Sequence, residues 1–132
     1  MNWTLDKSRP ICPQICELIC VAVANNELSA GKKLLSVREV ALEAGVNPNT
    51  VQKSFEELER RGVIHSVRCS GWYVNDNIDA AVEEVAALRK KKTEEYLAAM
   101  ALLGCSSEDI IKYLTDCKEE NDEHSSSDYG AN

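Results

Sequence analysis

The chain has 132 residues, of which 44% are hydrophobic and 28% charged, with six cysteines and a formal net charge of -7. That length accommodates one ordinary domain with a small appendage and excludes a recognition module joined to a large ligand-binding domain. No run of about eighteen apolar residues occurs and "MNWTLDKSRP" lacks the apolar core of an export signal, so a cytoplasmic protein without membrane contact is expected.

The elements follow in chain order. Ile11, Ile15, Leu18, Ile19, Ala22 and Val23 recur at spacings of three and four, which predicts an amphipathic helix from Pro10 to about Asn26. "NNELSAGKKL" reads as a turn-rich link. "SVRE" then has the form of a capping box, with Ser36 and Glu39 satisfying each other's backbone N–H groups. Val37, Val40 and Ala41 give this second helix a buried side, and Gly45 suits the left-handed residue that ends it. Asn47 followed by Pro48 is an N-cap and the one helical position where proline fits without loss. Val51, Phe55 and Leu58 face the core from this third helix, and Gly62 stops it. Two capped helices joined by a few residues around Gly45 make a helix-turn-helix.

"VIHSV", from Val63 to Val67, and "WYV", from Trp72 to Val74, predict a hairpin with its turn near Cys69 to Gly71. A helix-turn-helix running directly into a hairpin is a winged helix. From Ile78 to Leu103 the chain is rich in Ala, Glu and Lys without Gly or Pro, which predicts a long helix. Its apolar stripe (Ile78, Val82, Val85, Ala86, Leu97, Met100, Leu103) is interrupted by "RKKKTEE". Gly104 stops it, and "SSED" caps a last short helix carrying Ile110, Ile111 and Leu114. Two such helices cannot close a core alone. The fold class expected is mainly α with a small β-hairpin: a winged helix-turn-helix over residues 1–77, a two-helix dimerisation region over 78–118, and an acidic disordered tail over 119–132.

Charge is divided along the same boundary. Up to Asn77 nine basic residues balance nine acidic ones, whereas from Ile78 onward thirteen acids outnumber six bases and account for the whole net charge of -7. The chain's acidity therefore says little about what its first half binds. The third helix opens with Asn47, Asn49, Thr50, Gln52 and Lys53, all hydrogen-bonding and none acidic, and its first acids are Glu56 and Glu57. That gradient suits a polyanion, since base readout uses the exposed start of a recognition helix.

Other constellations read as structural. Cys12, Cys16 and Cys20 flank the apolar face of the first helix, with no fourth ligand nearby, and helical cysteine usually packs as a small apolar residue. No CxxC pair is present, so reduced thiols are expected. His65 lies in the first wing strand and His124 in the tail, without ligand spacing. Lys90–Glu94 and Lys91–Glu95 are i,i+4 pairs on a solvated face. No Gly-rich phosphate loop and no nucleophile with its base is present, so neither an enzyme nor a metal or other cofactor is expected.

"PICPQICELI", "GKKLLSVREVA", "GVNPNTVQKSFEELERRGVI" and "RCSGWYV", followed by an appendage ending in "LGCSSEDIIKYL", together resemble the GntR family of bacterial transcription regulators. The short C-terminal part is similar to its YtrA-type subgroup, and the likeness spans roughly Pro10 to Leu114. The resemblance implies a homodimer that binds a palindromic double-stranded DNA operator through paired winged helices, normally as a repressor. It implies DNA contact by Arg38 from the second helix, by Ser36, Asn47, Asn49, Thr50, Gln52 and Lys53, and by Arg68 and Gly71 in the wing. Ser36 and Asn47 are equally read as helix caps. The sequence departs from the family at Leu35, where proline is common, at Pro48, where many relatives place a basic residue, and at Cys69, which replaces a wing glycine. Two alternatives stand beside this reading: a winged helix turned to protein contact, and a thiol-based metal or redox regulator. The appendage is too small to enclose a sizeable cavity, so an effector held in a dedicated domain is not expected, and the identity of any small-molecule effector is unknown.

Overall fold

The computed structural model describes residues 1–131, with side chains as far as Asn121. The elements run α1 (Ile11–Ala24), α2 (Val37–Ala44), α3 (Pro48–Arg60), β1 (Ile64–Val67), β2 (Gly71–Val74), α4 (Asp79–Leu102) and α5 (Ser107–Ala131). They fall into two compact units, Met1–Arg89 and Lys90–Asn132, with the division inside α4.

The first unit is built on the inward faces of three helices. Ile15, Ile19 and Val23 of α1, Val40 and Ala41 of α2, and Val51, Phe55 and Leu58 of α3 are buried together. Cys16 and Cys20 belong to that same core, so the helical face is broader than the isoleucine stripe alone and the thiols fill it as small apolar groups. Ser54 is the one buried polar side chain among the described residues, and it is satisfied locally: its hydroxyl donates to the Thr50 carbonyl at 2.8 Å. Phe55 has no exposed surface and meets Trp72 of β2 edge-to-face, with ring centroids 5.5 Å apart.

The turn chemistry follows the sequence closely. Ser36 accepts from the Glu39 N–H at 3.1 Å while Glu39 accepts from the Ser36 N–H at 3.2 Å. Gly45 ends α2 at φ 67°, a conformation that costs an L side chain roughly 1–2 kcal/mol. Asn47 caps α3 by accepting from the Asn49 N–H at 2.8 Å, and Pro48 follows at the first helical position.

β1 and β2 pair antiparallel with Ile64 opposite Val74 and Val67 opposite Gly71. The link before α2 is more ordered than a turn-rich stretch implies. Leu34 N–H donates to the Trp72 carbonyl at 2.8 Å, Val74 N–H to the Lys32 carbonyl at 2.9 Å, and Gly31 N–H to the Val74 carbonyl at 3.0 Å. The free edge of β2 needs partners for its backbone groups, and this link supplies them.

α4 enters the first unit through Ala81 and Val85, which are buried in its core. Arg61, just past α3, ties the two helices together. Its Nε meets Glu57 Oε1 at 2.9 Å and its Nη1 meets Glu84 Oε2 at 3.5 Å. Glu57 also accepts from Arg60, and these two guanidiniums, Arg60 first, hold its carboxyl down at about 2.

In the second unit Ser106 and Asp109 form a reciprocal cap at 3.1 and 3.3 Å, as "SSED" suggests. α5 is longer than the short helix expected, and Glu119, Glu120 and Asn121 continue it instead of starting an irregular tail. The remainder of the expected tail, with His124, lies outside the residues whose side chains are described. Ile110 is buried, whereas Leu102, Leu103, Ile111, Tyr113 and Leu114 are each more than half exposed. Lys91 and Glu95 form the expected i,i+4 pair, at 4.0 Å.

Truncating Phe55 to alanine should therefore destabilise the first unit by about 3–5 kcal/mol, measured by urea unfolding followed through tryptophan fluorescence.

Candidate nucleic-acid interface

Three backbone features of the first unit carry the predicted residues: the capped start of α2, the capped start of α3, and the hairpin loop. The predicted residues distribute over them. Ser36 and Arg38 are placed at the start of α2, Ser36 exposed and Arg38 with its side chain at the surface. Asn47, Asn49 and Lys53 lie toward the start of α3, with Thr50 and Gln52 half-buried beside them. Arg68 is exposed at the start of the wing loop, and Gly71 is half-buried where β2 begins.

Packing explains which side chains point outward. Val51, Phe55 and Leu58 turn inward with no exposed surface, so Asn49, Gln52 and Lys53 are left on the remaining arc of the helix. Arg38, Lys53 and Arg68 engage in no ion pair among the described residues. The acids of α3 are occupied within the protein. Glu56 accepts from Gln52 at 3.0 Å, Glu57 holds both arginines, and Glu59 accepts from the Ser66 N–H at 2.9 Å. A unit balanced in formal charge thus leaves cations without ion-pair partners on α2, on α3 and in the wing loop.

The wing departs from a glycine-rich loop and still closes. Cys69 takes φ 62°, a left-handed conformation unusual for a side-chain-bearing residue. Gly71, at φ 141°, lies against Lys33: a Cβ there would come within 3.1 Å of Lys33 Cε. Alanine at Gly71 would push that lysine aside and strain the backbone.

Two cations beside these elements were not singled out from the sequence. Lys33 pairs by its backbone with Tyr73 and lies over Gly71, and Lys7 Nζ donates to the Gly45 carbonyl at 2.8 Å. The double lysine of "GKKL" carried some signal for the first. Lys7 sits 38 residues from its partner and carried none. The same N-terminal segment is fixed further by Trp3 Nε1, which donates to Glu43 Oε2 at 2.9 Å.

The thiol stripe faces the core. Burial pushes Cys16 up to about 12 and Cys20 to about 11. Such thiols stay protonated at neutral pH, and it is the thiolate that binds metal or meets oxidant. His65 is held by Asn75, Nδ1 to Oδ1 at 2.6 Å, and stacks on Tyr73.

A three-helix core, a hairpin wing and an acid-free helix start define a DNA-binding protein of the winged helix-turn-helix class. Residues 13–74 match the family described as bacterial regulatory proteins, gntR family. Over 112 residues, 85% of this chain and 93% of the other, the sequence is 32% identical to the HTH-type transcriptional regulator YhcF of Bacillus subtilis. It is 32% identical to the HTH-type transcriptional repressor YtrA of the same organism, over 81% of this chain and 83% of that one. A GntR family transcriptional regulator from Listeria monocytogenes superimposes with a TM-score of 0.76 at 35% identity, over 85% of this chain and 98% of that one. The chain belongs to the GntR family of transcription regulators, and within it to the YtrA type.

Two outcomes follow from this geometry. With a thiol-reactive dye at pH 8, exposed Cys69 should label in the native state while Cys16 and Cys20 wait for unfolding, read by mass spectrometry after stopped labelling. Ser36→Ala should cost about 1 kcal/mol through loss of the cap, read as a shift in urea midpoint.

Proposed function

We propose that this regulator binds a palindromic DNA operator as a homodimer in the cytoplasm and acts as a repressor. One observation carries the reading: α3 offers uncharged hydrogen-bonding groups and an unpaired lysine toward its start, while its acids are tied up by neighbouring side chains. In this arrangement α3 enters the major groove. Asn49, Thr50 and Gln52 then face base edges, and Lys53, Arg38 and Ser36 reach phosphates beside them. Asn47 serves as the cap that aims the helix. Arg68 and Gly71 bring the wing loop to the adjoining backbone.

Gln52 is already bonded to Glu56, and reading a base requires it to exchange that partner, an inexpensive step for a hydrogen bond at the surface. Ser36 accepts from Glu39 and still has its own hydroxyl proton to donate. Capping and phosphate contact are therefore compatible at that residue.

The dimer rests on the second unit. Leu102, Leu103, Ile111, Tyr113 and Leu114 are large apolar side chains left exposed, and exposed apolar patches mark interaction surfaces. A second copy of the same unit is the simplest cover, and two-fold pairing presents two α3 helices to two half-sites. Repression follows from occupancy of the operator, and the related YtrA of Bacillus subtilis carries the name of a repressor.

Footprinting on the DNA upstream of the gene should reveal a protected inverted repeat. Lys53→Ala should weaken binding to all duplexes and flatten the salt dependence by about one ion. Thr50→Ala should weaken operator binding by roughly tenfold or more while leaving nonspecific binding unchanged. Wild-type affinity in both variants would remove α3 from the interface. Leu103→Asp with Ile111→Asp should convert the dimer to a monomer in analytical ultracentrifugation, and operator affinity should fall with it.

A further inference from the structure

Between α2 and the turn into α3 lies a shallow notch of about 260 Å³, lined by Arg38, Ala41, Leu42, Val46 and Pro48. Its walls are almost wholly hydrocarbon, although the residues around it are polar. Leu42 is 83% exposed, the most accessible large apolar side chain of Met1–Arg89. It sits one helical turn after Arg38 on the same face, directed away from Val40 and Ala41, which fill the core. Pro48 forms the other wall. At the first position of α3 it has no N–H to offer and presents only its ring methylenes. The Val46 N–H donates to the Ala41 carbonyl at 3.1 Å, so the floor between the walls is held in place.

We infer that this notch seats the 5-methyl group of a thymine in the operator, which makes Pro48 and Leu42 specificity-determining residues. The inference rests on the operator-binding reading above and adds which base the start of α3 selects. In the major groove thymine is the base that displays a methyl group, and apolar side chains recognise it by contact. The polar residues that follow Pro48 along α3 favour the same base pair. Asn49 and Gln52 carry the amide groups that bond adenine bidentately, and a thymine methyl lies across the groove from every adenine. Arg38 at the rim supplies the positive charge that draws a phosphate alongside. A hydrocarbon recess with a cation in its lining, at the point where the amide-bearing start of α3 begins, fits a base edge. It does not fit a second apolar helix, which would bury Arg38 without a partner.

The test alters one group on the DNA and leaves the protein as it is. Each thymine of the footprinted half-site is replaced singly by 2′-deoxyuridine, which exchanges the methyl for hydrogen, and affinity is measured at constant salt. One thymine in each half-site should prove sensitive, with a roughly fivefold loss, the worth of one buried methyl. Leu42→Ser, a change at an exposed position that leaves the core intact, should bind the thymine and uracil duplexes equally. Indifference of the wild-type protein to every replacement, with the footprint intact, overturns the notch and leaves the operator reading standing. Discrimination that survives in Leu42→Ser also overturns it, since the methyl is then read elsewhere. Absence of any footprint removes the operator reading and this inference together.

Discussion

Phe55 is where the demands on the first unit meet. Its ring has no contact with water, shares one core with α1 and α2, and meets Trp72 of the wing edge-to-face. Because a helix has only one set of rotational settings, burying Phe55, Val51 and Leu58 decides what the opposite arc shows to solvent. The polar groups at the start of α3 are displayed because that core holds them there, and the hairpin is placed by the same aromatic pair. Recognition is a surface consequence of packing.

Electrostatics work by partition more than by sum. The first unit has as many acids as bases up to Asn77, which argues superficially against any role with a polyanion. Yet Glu57 is held by Arg60 and Arg61, Glu59 by Ser66, Glu56 by Gln52 and Glu43 by Trp3. The depressed titration of Glu57 fixes its range: the pair contributes above the ordinary carboxylate range and fades only as acidity carries the pH down toward about 2. At neutral pH these four acids are engaged by neighbours while Arg38, Lys53 and Arg68 form no ion pair among the described residues. Net charge is a poor guide when ion pairs are local and long-range fields are screened.

Local chemistry was legible in the sequence and long-range chemistry was not. The Ser36–Glu39 box, the left-handed Gly45 and the Asn47–Pro48 start are each written in three or four adjacent residues, and each forms as written. The inward residues of α3 followed from periodicity. The cysteines of α1 stood at the margin of the isoleucine stripe, and only three-dimensional packing decided that Cys16 and Cys20 lie inside it. The pairing of residues 31–34 with β2 carried no alternation, because that edge is defined by its partner. The length of α5 escaped for a related reason: a polar, acidic sequence lacks the apolar stripe by which helices are recognised.

The match to the family begins at residue 13, but the folded unit begins earlier. Trp3 grips α2 through Glu43, and Lys7 reaches the carbonyl of Gly45 at the bend into α3. The opening segment thus acts as an outrigger for a motif to which none of its residues belongs. Anyone grafting the family-matching portion alone onto a foreign sensor would leave that outrigger behind. The chimera would inherit the right letters on a looser frame.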